Sequence, residues 1–215
     1  MNIRLLSGWI LIKFSNFIRQ LLIVLLKPQD LIEFTKINYS KSQAIRISSN
    51  EECLNRGLIP TEKDFIENHA FQKGRILVLG CGGGRESIAL AEMGFNVIGI
   101  DNVKEMIEKG KENSIKRGFN IDFYLQDIIA CSFPDRYFDY AMLSAHIYGT
   151  IPTKKKHIEF LKNIRKFLKA GGKFFFTFHI ANSYPKDRRF LNLFKFNLLK
   201  VIAYTTFGNI GYQYG

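Results

Sequence analysis

The sequence predicts an α/β fold, an open parallel sheet with helices on both faces, from three features of residues 75–101. Arg75 to Leu79 leads through an unbroken run of isoleucine, leucine and valine, the pattern of a strand covered on both faces. Gly80, Gly82, Gly83 and Gly84 follow at once, where a missing Cβ lets a ligand approach the backbone. A second apolar strand, Phe95 to Ile100, delivers Asp101, 21 positions beyond Gly80. That separation is close to the ~20 residues that bring a carboxylate to ribose hydroxyls in nucleotide-binding units.

Between the turn and the second strand, Arg85 to Met93 carries Ile88, Leu90 and Ala91 at helical spacing and stops at Gly94. The dinucleotide fingerprint G-x-G-x-x-G, begun at Gly80, requires glycine at 85; Arg85 stands there, which disfavours a nicotinamide oxidoreductase. Gly80, Gly82 and Gly84 instead spell G-x-G-x-G. The stretch VLGCGGG resembles motif I of the class I S-adenosylmethionine-dependent methyltransferases, and Asp101 matches that family's acid at the end of its second strand. The resemblance covers about residues 60 to 180. It implies a Rossmann-like sheet, S-adenosylmethionine as cofactor and a small-molecule methyl acceptor, with Gly80, Cys81, Gly82, Gly84, Asp101, Asn102 and Met106 around the cofactor. One departure stands out. The family often has an acid two residues before the first glycine, and here that residue is Val78.

Composition bounds the possibilities. A chain of 215 residues with 47% hydrophobic and 14% aromatic content buries a substantial core and is not disordered. Cys53, Cys81 and Cys131 show no paired spacing and the four histidines no metal-ligand spacing, so a reducing, cytoplasmic setting without a metal is expected. The net charge of +12 is concentrated in Lys154 to Lys200, where thirteen lysines and arginines face only Glu159 and Asp187. Such a surface attracts phosphates or anionic lipid. No arginine-rich repeat or aromatic platform accompanies it, so a nucleic-acid partner is disfavoured and a solvated face is the simpler reading.

At the start of the chain, residues 2–27 place Leu6, Ile10, Phe14, Phe17, Leu21 and Val24 on one helical stripe, and Pro28 ends the helix. Lys13, Asn16, Arg19 and Gln20 interrupt the apolar run, which falls short of the ~20 residues of a spanning helix. An amphipathic helix that packs on the domain or a partner, or lies on a membrane surface as a peripheral anchor, fits this pattern. From Gln29 to Asn50 the periodicity weakens, and Tyr39, Ser40, Lys41 and Ser42 are expected to form a connection over the cofactor cleft. Pro60 and Thr61 open a short helix, Glu62 to His69.

Beyond Asp101, a helix from Val103 to Lys116 presents Val103, Met106, Ile107 and Gly110 inward, and Ile121 to Gln126 forms strand 3. By resemblance, Asp127 accepts a hydrogen bond from the adenine amino group and Ile128 packs on the ring; from its own pattern Asp127 also suits a turn. Strand 4, Phe138 to Leu143, ends in SAHIYGTIP, which puts Ser144, His146 and Tyr148 at the carboxyl edge where reacting groups gather. Ser144 is expected beside both cofactor and acceptor. His146 is the candidate base, or else a residue that only shapes the pocket. An asparagine-proline-proline-aromatic motif, a cysteine and an acid cluster are all absent there, against adenine, pyrimidine-carbon and magnesium-dependent catechol substrates.

Thr153 caps a helix whose Ile158, Leu161, Ile164 and Leu168 are expected to face inward, and Ala170-Gly171-Gly172 turns into strand 5, Lys173 to Ile180. A basic helix is expected from Asp187 to Tyr204. Thr205 to Gly215 holds no pair of strands like the family's terminal hairpin, so the sheet is expected to be C-terminally shortened, with strand 5 at an edge. The organisation expected is an amphipathic helix and cap over residues 1–58, the cofactor-binding core over 59–182 and a basic tail over 183–215. The alternative to an enzyme is a cofactor-binding, non-catalytic module docked on a membrane or partner protein by the first helix.

Overall fold

A strand in the middle of a parallel sheet must be apolar at consecutive positions, and Ile76, Leu77, Val78 and Leu79 of β1 (Arg75–Leu79) are all fully buried. In the computed structural model, which describes residues 3–69, 73–143, 147–177, 197–199 and 201–202, β1 is central. With β2 (Asn96–Asp101), β3 (Asp122–Leu125), β4 (Phe138–Leu143) and β5 (Leu168–Phe176) it forms one parallel sheet in the order β3-β2-β1-β4-β5. This is the expected Rossmann-like architecture. Strand order reverses between β1 and β4, so their carboxyl ends flank the crevice in which open α/β sheets bind ligands.

The helices are α1 (Ile3–Leu25), α2 (Pro28–Tyr39), α3 (Ser42–Ser49), α4 (Glu51–Arg56), α5 (Pro60–Asn68), α6 (Arg85–Glu92), α7 (Lys104–Lys116) and α8 (Lys154–Phe167). Both faces of the sheet are covered. On one, Ile76, Val78, Met142 and Phe175 share a core with Leu54 of α4, Ile66 of α5 and Ile88 of α6. On the other, Phe160 of α8 meets Phe174 of β5 edge-on, with ring centres 5.8 Å apart. The ring of Phe123 in β3 lies against Gly99 of β2 and Gly110 of α7, so the two glycines set how closely strand and helix approach.

The chain divides into two compact units. The larger comprises residues 34–151 and 155–179 and contains the whole sheet. The smaller comprises 1–33, 152–154 and 180–215; within it Val24 packs on Leu199, flanked by Leu21 and Ile202. Along α1, Ile10, Leu11, Ile12, Phe14 and Ile18 remain exposed. No helix among the described residues is long and apolar enough to cross a membrane.

The expected connection at Tyr39, Ser40, Lys41 and Ser42 coincides with the turn between α2 and α3, which fill most of the stretch 29–50 on either side of it; α3 has only eight residues, and its Ala44, Ile45, Ser48 and Ser49 are half-buried by docking, which propensity alone does not reveal. Two expectations are corrected. The inward face of α8 is Phe160, Ile164 and Phe167, while Ile158 and Leu161 are exposed, because the aromatic rings fill the space beside Phe133 and Phe174. Strand β5 begins at Leu168, paired with Phe138, and bulges before Lys173 pairs with Tyr140. The terminal hairpin and most of the last expected helix lie outside the described residues, although 197–199 and 201–202 are helical.

A Cβ on Gly99 would stand 2.8 Å from Phe123 Cδ1 and 3.0 Å from Cys81 Sγ. Gly99→Ala is expected to cost ~1–3 kcal/mol as overpacking. A urea titration would show it as an earlier midpoint with an unchanged slope.

Candidate functional site

The glycine turn is built by three different demands. Gly82 has φ 49°, and a Cβ there would meet nothing within 4 Å, so its left-handed backbone faces open space. Gly83 has no such room: a Cβ would stand 2.6 Å from the Cβ of Ser49, because the end of α3 lies on the turn. At Gly80 a side chain would collide with Ile147, which follows β4. Asn113 of α7 ties these pieces together, donating to Gly83 O at 2.9 Å and to Ser49 O at 3.3 Å.

Asp101, at the end of β2, is the electrostatic centre. Its Oδ2 accepts the Gly82 amide at 3.0 Å and its Oδ1 the Val103 amide at 2.9 Å, so one carboxylate joins the turn to the start of α7. Burial pushes its pKa up, and the amides of Val103, Gly82 and Asn102 oppose that shift by stabilising the anion. Asn102 is half-buried beside it and Met106 lies buried one turn into α7. Cys81 donates its amide to Ile100 O, and its thiol is buried against Gly99 with its pKa raised well above the ordinary value. It offers a ligand backbone only.

Asp127 follows β3. Its Oδ1 accepts the amides of Ile129 at 2.7 Å and Ala130 at 3.4 Å, so the turn role is realised, and Oδ2 has no hydrogen bond among the described residues. Ile128 is half-buried next to it. After β4, a single 3₁₀ turn (Ile147–Thr150) holds Tyr148, whose ring stacks between His157 of α8, 4.4 Å away, and Phe176 of β5, 4.6 Å away. Ser144 and His146 lie outside the described residues.

Several polar residues of the larger unit were not signalled by the sequence. Arg85 donates to Gly57 O at 2.5 Å and pairs with Glu86, and both side chains are largely buried. Glu62 of α5 is fully buried. His157 Nε2 and Ser87 Oγ are buried without a hydrogen-bond partner among the described residues. The signals that existed were Arg85 and Glu86 directly after the turn and Glu62 three residues after a capping position; a charged residue on a short helix otherwise reads as solvated. No group of three metal-ligating side chains occurs among the described residues.

Residues 76–172 match the family described as a methyltransferase domain. The chain is 32% identical over 119 residues to the ubiquinone biosynthesis O-methyltransferase of Coxiella burnetii, covering 55% of this chain and 49% of that protein. It is 35% identical over 125 residues to the YqeM protein of Bacillus subtilis, covering 56% and 50%. The chain thus spans about half the length of these curated relatives. Among solved structures, it resembles the PH0226 protein of Pyrococcus horikoshii (29% identity, TM-score 0.57, 66% of each chain). A SAM-dependent methyltransferase of Methanosarcina mazei is also similar (28%, TM-score 0.55, 67% of this chain and 68% of that one). The sheet of this chain thus has the Rossmann-like α/β fold of these S-adenosylmethionine-dependent methyltransferases, and its residues 76–172 are similar to a methyltransferase domain.

Gly82 and Gly118 allow a matched comparison, since both have positive φ and open space where a Cβ would go. Gly82→Ala and Gly118→Ala are each expected to cost ~1–2 kcal/mol of backbone strain. Only Gly82→Ala is expected to weaken binding of S-adenosylhomocysteine, the demethylated form of the cofactor, as measured by calorimetry.

Proposed function

We propose that this protein is an enzyme that transfers a methyl group from S-adenosylmethionine to a small-molecule acceptor. The observation that carries the reading is the Asp101 carboxylate, held by the Gly82 and Val103 amides beside the open face of Gly82. That arrangement fits a nucleoside: a fixed acceptor for ribose hydroxyls next to backbone that a ligand can touch. In this reading the backbone of Gly80 to Gly84 and Asp101 hold the cofactor, with Asn102 and Met106 beside the ribose. Asp127 takes the adenine amino group through Oδ2, and Ile128 packs on the ring.

The cofactor supplies an already activated methyl group on a sulfonium. The chain's own work is then alignment and exclusion of water. Tyr148, wedged between His157 and Phe176, provides a rigid aromatic wall beyond β4. Ser144 and His146, in the same connection, are the proposed acceptor-side groups, and His146 takes the proton of an oxygen or nitrogen nucleophile. A small acceptor is favoured by the match to an O-methyltransferase of quinone biosynthesis and by the absence of nucleobase motifs after β4. With Cys53, Cys81 and Cys131 all free, a cytoplasmic setting suits the chain.

Replacing Asp101 by alanine removes an ionised acceptor whose hydrogen bonds are worth ~1.5–3 kcal/mol each. S-adenosylmethionine affinity, measured by calorimetric titration, is expected to fall by at least about tenfold. Unchanged affinity would overturn the reading.

A second reading, attachment to an anionic membrane surface, is favoured by the exposed Ile10, Leu11, Phe14 and Ile18 on a helix that contains Arg4, Lys13 and Arg19 and no acid. It is compatible with catalysis and with a non-catalytic role alike. Phe14→Asp is expected to abolish co-sedimentation with phosphatidylserine vesicles while leaving cofactor affinity intact; binding to neither type of vesicle, anionic or neutral, by the unaltered chain would dismiss the reading.

A further inference from the structure

We infer that a groove at the amino ends of β4 and β5 is a binding site for a soluble ligand carrying two or more phosphate groups. It lies at the opposite end of the sheet from the crevice beside Asp101 and does not depend on what that crevice holds. Its volume is about 810 Å3, within the ~300–1,000 Å3 of small-molecule sites. Two distant parts of the chain bring bases to it. Arg136 comes from the turn before β4, while Lys162, Arg165 and Lys166 share one face of α8 at helical spacing.

These charges are not used up within the protein. Asp135 takes Lys166 at 3.4 Å, and Asp139 takes Lys169 at 2.7 Å. Arg136, Lys162 and Arg165, which also line the groove, have no ion pair or side-chain hydrogen bond among the described residues. Bases in the last turn of a helix commonly serve its free carbonyls. Here backbone does that work at the end of α8: the amides of Arg136 and Tyr137 donate to Lys166 O at 3.0 Å and to Phe167 O at 2.8 Å. Lys162 and Lys166, four residues apart on the same helix, repel each other, and an anion between them reverses the sign of that interaction.

Backbone conformation points the same way. Arg136 has φ 53°, and among the described residues it is the one non-glycine with positive φ. Glycine or asparagine would hold that turn more cheaply, so the guanidinium is what arginine adds, and a guanidinium matches two phosphate oxygens at once. Strain of this kind collects at ligand sites. Exposed Leu161 and half-buried Leu168 give the groove an apolar wall for the rest of the ligand. Phe174 is packed on Phe160 and Phe176 rather than splayed for bases to stack on, which disfavours single-stranded RNA, and a concave site disfavours a flat lipid surface.

Calorimetric titration of the full chain with inorganic pyrophosphate tests this. The unaltered chain is expected to bind, and Arg165→Ala and Arg136→Gly are each expected to weaken binding about tenfold, the scale of one charge-assisted contact. Lys36→Ala removes an equal charge from an exposed position on α2 outside the groove and is expected to change binding less than about twofold. Because glycine accepts positive φ, Arg136→Gly is also expected to melt no lower than the unaltered chain, which separates loss of binding from loss of fold. No binding of pyrophosphate, or an equal loss in Lys36→Ala, overturns the inference. Vesicles of phosphatidic acid in phosphatidylcholine and a short oligouridine are titrated in parallel. If Arg165→Ala weakens binding to either of these and leaves pyrophosphate affinity unchanged, the groove belongs to that macromolecule and the inference is overturned. S-adenosylhomocysteine affinity is expected to be the same in every variant, so failure here and failure of the cofactor reading are told apart.

Discussion

The carboxylate of Asp101 accepts one amide from the glycine turn and one from the start of α7, and the shape of the crevice depends on that double contact. Without it, the Gly82 and Val103 amides lose the acceptor that joins the turn to the residue before α7. The helix dipole of α7 favours a negative charge at this point, and burial disfavours it. The raised pKa shows that burial is the larger effect, while the amides limit how far it goes. A ligand hydroxyl that donates to the same carboxylate adds to the side that keeps it ionised.

The turn can reach Asp101 only because neighbouring elements come very close. Phe123 fills the space that Gly99 and Gly110 leave empty, and it also touches the position above Gly84. One aromatic ring thus fixes the spacing among β2, β3, α7 and the start of α6. On the outer side, α3 presses Ser49 against Gly83, and Asn113 holds both carbonyls. The binding surface is therefore made of backbone held in place by side chains that never touch a ligand, which suits recognition through amides.

Much of this was legible in the chain and some was not, for identifiable reasons. The runs at 76–79 and 138–143 are apolar at consecutive positions because both faces are covered, and such strands are hard to mistake. The glycine spacing and Asp101 were readable because a backbone-lined turn tolerates few side chains. Helix α3 was not readable: its eight residues include three serines, and docking on α7 and the turn stabilises it. On α8, alternative apolar stripes compete, and only the positions of Phe133 and Phe174 decide for Phe160 and Phe167. Glu62 reads in the sequence only as the start of a short helix opened by Pro60 and Thr61; its contact with Thr177, 115 residues away, has no local signal.

The placement of charge across the larger unit follows a single logic. A groove of about 810 Å3 at the amino ends of β4 and β5 is lined by Arg136, Lys162, Arg165, Lys166 and Lys169 against one acid, Asp135. The carboxyl ends carry the opposite sign, in Asp101 and Asp127, with buried Glu62 at the same level. A chain of net charge +12 repels a ligand of net positive charge at long range, and acids at the crevice offset that locally. Moving the bases to the far end of the sheet removes the nearest repulsion. Charge segregation therefore sets acids at the crevice and bases at the opposite end of the same sheet.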